Sequence, residues 1–199
     1  MNEDAIEETE GKEEKKHPVR DYFACFKMGT RDIASNAIIA ALYVALTYAF
    51  AFMSYGNIQV RISEFLMLLC FFNPNYIIGL TLGCLLSNRY SASLGMAYDM
   101  IFGTLATFVS GVLMSLMHQL LFASLIPAII NGFVVGFELW WLVSFEGGWL
   151  YFWVQFGWVC LGEILAVSAL GLIVFYPLTK RNKSFLKAIN AKRNLNYKF

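Results

Sequence analysis

Long apolar runs alternate with short polar breaks along this chain. From Ile33 to Ser54 nearly every side chain is apolar or small, about 22 residues, enough to cross about 30 Å of hydrocarbon at 1.5 Å per residue. A turn is predicted at Tyr55–Gln59 around Gly56-Asn57, then a shorter apolar element from about Gln59 to Phe72. As a helix of about 14 residues it reaches only about 21 Å. Asn73-Pro74-Asn75 ends it, because proline disfavours a helical conformation at the preceding residue. Further helices are predicted over Tyr76–Asn88, Met96–Met117, Leu120–Val143 and Trp149–Leu178, with breaks at Arg89–Gly95, His118-Gln119 and Ser144–Gly148.

Charge turns this pattern into a topology. Only seven charged side chains lie between Ile33 and Thr179: Arg61, Glu64, Arg89, Asp99, Glu138, Glu146 and Glu163. Six Lys or Arg residues precede that block and seven follow it. Flanking positive charge marks the cytoplasmic side. The expected fold is therefore an all-α integral membrane protein with six transmembrane helices and both termini cytoplasmic. Five spans would put the C-terminal lysines opposite the N-terminal ones, so the short second element counts as a tilted span. The expected organisation is a disordered cytoplasmic tail over 1–20, a membrane domain over 21–179 and a basic cytoplasmic tail over 180–199. The first 20 residues are strongly polar and show no cleavable signal peptide. Trp140, Trp141, Trp149 and Trp153 cluster around the last break, as an outer aromatic belt would.

Composition excludes several chemistries. With two histidines, His17 and His118, a histidine metal cluster or a Ser–His dyad is implausible, and no metal or cofactor is expected. Cys70, Cys84 and Cys160 stand singly in apolar runs and read as packing residues. No GxxxxGK[ST] motif is present for binding ATP in the P-loop manner. A net charge of +1 gives no reason to expect nucleic acid.

Ionisable groups within a bilayer cost roughly 2.5–3.5 kcal/mol each and mark function by default. On the predicted topology, Arg61, Glu64, Asp99 and Glu138 fall in the outer half and Glu163 lies deeper. Ser124, Asn131 and Glu138 recur every seven residues, on nearly one helix face. They fit either a polar seam between helices or a pocket wall, and the carboxylate favours the pocket. Glu138 and Glu163 are the expected principal ligand carboxylates, with Asn131 beside Glu138. Asp99 and Glu64 are expected nearer the entrance, Arg61 orienting Glu64 as an i,i+3 pair. Glu146 is expected in a solvated loop. Small residues form rows at four-residue spacing: Ala37, Ala41, Ala45 and Ala49, then Gly79 and Gly83, then Gly132 and Gly136. Such rows let helices approach closely, within the molecule or against a partner.

The ordered series Ile39–Tyr48 (IAALYVALTY), Gln59–Glu64 (QVRISE), Phe71–Asn75 (FFNPN), Ile78–Cys84 (IGLTLGC), Asp99–Thr107, Asn131–Glu138 and Gly162-Glu163 resembles the queuosine-precursor transporter family. The resemblance covers about residues 31–178. It implies a substrate-binding S component of an energy-coupling-factor (ECF) transporter, with a six-helix S-component bundle and an externally facing site. It also implies that the face of Ala37, Ala41 and Ala45 docks on a transmembrane coupling protein, driven by two cytoplasmic ATPase subunits. The implied substrate is a deazaguanine nucleobase carrying an aminomethyl or cyano group, and the implied location is the bacterial plasma membrane. Adjacent N–H donors of a guanine edge suit one carboxylate, an aminomethyl cation suits a second, and aromatic side chains could stack on the ring. An S component for another vitamin, such as riboflavin or thiamine, keeps the fold and partners. A stand-alone proton-coupled carrier relaying through Glu138 and Glu163 is the reading from a different class.

Overall fold

The computed structural model describes residues 28–54, 60–93, 97–143, 147–181 and 183–194. The predicted N-terminal tail, the turn at 55–59 and the loop bearing Glu146 lie outside these residues. Everything described is helical or connects helices. The helices are α1 (Thr30–Ala49), α2 (Ala51–Ser54), a 3-10 helix (Ile62–Leu68), α3 (Leu69–Phe72), α4 (Tyr76–Ser93), α5 (Asp99–Leu116) and α6 (Leu120–Val143). The last long helix begins as α7 (Gly148–Glu163), widens into a π segment (Ile164–Gly171) and resumes as α8 (Leu172–Arg181), before the short α9 (Lys183–Ala188).

Four of these are long and apolar enough to cross a membrane: Thr30–Ala49, Asp99–Leu116, Leu120–Leu142 and Gly148–Arg181. The 3-10 helix and α3 together form a shorter apolar element, Ile62–Phe72. Helix α4 is 18 residues long but more polar, with Ser87, Asn88 and Arg89 in its last turns.

Three boundaries differ from the sequence reading. The first apolar run breaks at Phe50, which leaves the helical conformation. The third helix continues to Ser93 and absorbs the start of the predicted polar loop. The second element is not a uniform α-helix. Seven residues of 3-10 helix rise about 2.0 Å each and four α residues about 1.5 Å, about 20 Å in all.

The break at Asn73-Pro74-Asn75 forms as expected. The Asn73 side-chain oxygen accepts the Asn75 backbone N–H at 3.1 Å, closing an Asx turn. The glycine rows are internal contacts. A Cβ at Gly79 or Gly83 would meet Asn36 or Tyr43 of α1 within 3 Å, and one at Gly132 would meet Cys160 of α7 at 2.5 Å. Helix α4 thus lies hard against α1, and α6 against α7. The alanine row faces the other way: Ala37, Ala41 and Ala45 are exposed, alongside exposed Ile38 and Leu42.

The two irregular helices pack on each other. A Cβ on Gly171 of the π segment would sit 2.7 Å from the Leu68 side chain of the 3-10 helix. Leu66, Met67 and Leu68 join Ala166 and Val167 in the hydrophobic core.

One end of the bundle is closed by residues 189–194, a strap across several helix ends. The Phe72 carbonyl accepts the backbone N–H groups of Lys192 and Arg193, both at 2.9 Å. The Tyr76 hydroxyl donates to the Ile189 carbonyl at 2.6 Å, and Arg193 donates to the Ser115 carbonyl at 2.6 Å. Asn194 donates to the carbonyls of Phe71 and Met117. These groups satisfy helix-end carbonyls that have no partner within their own helix. Asn190 and Asn194 adopt positive φ, 46° and 52°, a conformation asparagine tolerates better than most residues. Asp32, in the first turn of α1, accepts from Asn190 at 2.8 Å and pairs with Lys192 at 3.1 Å.

Candidate functional site

The polar groups of the bundle interior converge between the 3-10 helix, α5, α6 and the end of α7. Arg61 precedes the 3-10 helix in an extended conformation (φ −86°, ψ 98°), so its side chain leaves the helix axis and reaches α5. Its guanidinium donates to Asp99 at 2.9 Å, and both residues are buried. Asn88 fixes the same corner by donating to the Asp99 backbone carbonyl at 2.9 Å. Arg61, expected to orient Glu64, forms its ion pair with Asp99 and acts on Glu64 through its charge. The i,i+3 pairing needs both residues on one helix, and Arg61 stands outside the helix that carries Glu64.

Glu64 takes its hydrogen bond from the Tyr43 hydroxyl of α1, which donates to Oε1. Tyr43 is fully buried and Glu64 nearly so, and the adjacent Thr47 and Ser63 hydroxyls share a 2.7 Å hydrogen bond. Glu64 Oε2 has no hydrogen-bond partner among the described residues.

Across the cavity, Asn131 of α6 donates through Nδ2 to Glu163 Oε1 at 2.5 Å. That bond fixes the amide orientation and leaves Asn131 Oδ1 and Glu163 Oε2 buried without partners among the described residues. Glu163 is the last residue before the π segment. Short π stretches within helices occur often at functional sites.

Arg61, Glu64, Asn131 and Glu163 line one cavity, whose apolar walls are Val135 and Val159. Its free volume is about 10 Å³, room for about one water-sized molecule, so the facing groups stand close together. Four of the six expected binding residues thus share a wall. Asp99 stands behind it, tied to Arg61. Glu138 is buried, feels the charges of Asp99 and Arg61, and has an unpartnered Oε2, but it does not line this cavity.

The seven-residue stripe of α6 divides. Ser124 belongs to a seam, where its carbonyl accepts the Ser168 hydroxyl of the π segment at 3.0 Å. Asn131 faces the cavity. Among the tryptophans, Trp140 is buried and stacks on Trp149 at a centroid distance of 4.8 Å, while Trp141, Trp149 and Trp153 are exposed.

Sequence reasoning missed Tyr43, Thr107 and Cys84. The Thr107 hydroxyl lies on the cavity wall and donates to Cys84 Sγ at 3.2 Å. Tyr43 carried a readable signal, as a phenol on the face of α1 opposite the alanine row.

The sequence-family profile described as QueT transporter matches residues 33–180. A curated relative, "Queuosine precursor transporter QueT" of Lactococcus lactis subsp. cremoris (strain MG1363), is 47% identical over 85 residues. That alignment takes in 42% of this chain and 48% of the relative, so the matched segment spans about half the relative's length. No solved structure matches.

Proposed function

This chain belongs to the QueT transporter family, and from that premise we propose that it is the substrate-binding membrane subunit of an ECF-type ATP-driven importer for a queuosine precursor. The observation that carries the reading is the cavity edged by Glu64, Asn131 and Glu163, each with a buried oxygen that no described residue engages. Such oxygens cost about 1–3 kcal/mol apiece when left unpaired, and a ligand with N–H groups offsets that cost. A deazaguanine offers them on its guanine edge. Glu64 and Glu163 approach the ligand directly, and Arg61 with Asp99 fixes the rim. Glu138 acts from just outside the wall.

In this reading the bundle makes six passes, both termini are cytoplasmic, and the site opens outward across the plasma membrane. The basic segment beyond residue 180 belongs with the cytoplasmic end. Transport energy comes from two ATPase subunits through a transmembrane coupling protein. The exposed face of Ala37, Ala41 and Ala45 supports such a contact, because small side chains let a partner helix approach closely.

Two experiments test the proposal. Mass spectrometry of the purified chain should identify a co-purified deazaguanine, and a flavin or thiamine in its place would reassign the substrate. Ala41→Trp should abolish co-purification of the coupling protein and uptake, while calorimetry shows ligand binding by the isolated subunit intact. Undiminished co-purification would remove the alanine face from the interface.

A further inference from the structure

The polar inventory of the cavity discriminates between the two substituents a deazaguanine could carry. Three buried oxygens on its wall, Glu64 Oε2, Glu163 Oε2 and Asn131 Oδ1, are acceptors that no described residue engages. The cation on the same wall, Arg61, has its charge paired with Asp99 and a second nitrogen turned to Cys84. The Thr107 hydroxyl is committed to Cys84. Around this point the described residues bury four carboxylates, Glu64, Asp99, Glu138 and Glu163, against one guanidinium. An uncompensated carboxylate in an apolar bundle takes up a cation or a proton.

We propose that this cavity selects a cationic ligand, so that the aminomethyl deazaguanine binds in preference to the cyano form. The inference rests on the reading of the site as a deazaguanine pocket. A primary alkylamine is protonated at neutral pH and brings three N–H donors with its charge, which suits Glu64 Oε2 and Glu163 Oε2. A nitrile brings one acceptor, no donor and no charge. It would place its nitrogen among oxygens already short of donors and leave the negative charge uncompensated.

Calorimetry on the full chain in lipid nanodiscs, at neutral pH and with each compound separately, tests this. The aminomethyl compound should bind about 30-fold tighter or more, on the scale of losing a charge-assisted contact in a buried site. In Glu163→Gln, the aminomethyl compound should lose more affinity than the cyano compound, narrowing the preference. Equal or tighter binding of the cyano compound to the wild-type protein overturns the inference and leaves the deazaguanine pocket standing. It would mean that the carboxyls are protonated and donate to the nitrile. Binding of neither compound overturns the inference and the assigned substrate together.

Discussion

The strap end and the cavity bury polar groups in opposite ways. At the strap end, Asp32 accepts from the Gly29 backbone, Asn190 and Lys192, and the Phe72 carbonyl takes two N–H groups. In the cavity, Glu64, Asn131 and Glu163 each keep a buried oxygen that no described residue engages. Residues of similar chemistry therefore do different work. A network with its bonds made holds helices in place. A network with bonds left open stores free energy that a ligand can release, and its geometry is already fixed by the bonds that are made. Tyr43 on Glu64 and Asn131 on Glu163 are that fixed half.

The contrast breaks most visibly at Glu163. Glu163→Gln should weaken ligand binding about 30-fold or more, as each 1.4 kcal/mol is tenfold and truncating a buried charge pair costs about 2–5 kcal/mol. Its thermal midpoint should hold or rise, because a buried charge without full compensation is removed. Near wild-type affinity by calorimetry would place the ligand elsewhere. Asp32→Ala should show the reverse pattern. It leaves Asn190 and the Gly29 N–H without their acceptor and should lower stability by about 1–3 kcal/mol in thermal or denaturant unfolding. Ligand affinity should stay within about twofold, since distant sites with no shared partner act independently. A large affinity loss in this variant would mean that the two ends are coupled. Lys192→Ala should have the smallest effect, about 1 kcal/mol or less, because its side chain is only partly buried. High salt should reproduce part of that loss in the wild-type protein.

The membrane bundle was legible because charge is so rare between Ile33 and Thr179, and the stop at Asn73-Pro74 because proline acts locally. The cavity was legible in part. Arg61, Glu64, Asn131 and Glu163 were marked by the cost of burying them, which needs no knowledge of their neighbours. Pairing was not legible. The partner of Arg61 depends on its extended backbone and on how α5 packs beside it, and neither leaves a local pattern. The π segment was invisible for a related reason, since Ile164–Gly171 is apolar throughout and carries no polar marks by which to read a change of period. Nothing in the basic C-terminal run marks the partners of Arg193 and Asn194, which cap helix ends 77 to 123 residues earlier in the chain.

That capping has a consequence for biogenesis. The bonds from Asn190 and Lys192 to Asp32 span 158 and 160 residues. The chain must be synthesised through Lys192 before the first turn of α1 meets these partners. Until then the Asp32 carboxylate and the carbonyls of Phe71, Phe72, Ser115 and Met117 await the donors that residues 190–194 bring. The helices can enter the membrane one after another, as neighbouring helices make most of the contacts. Closure of the strap end has to wait for residues 190–194, a high-contact-order step that follows insertion of the helices.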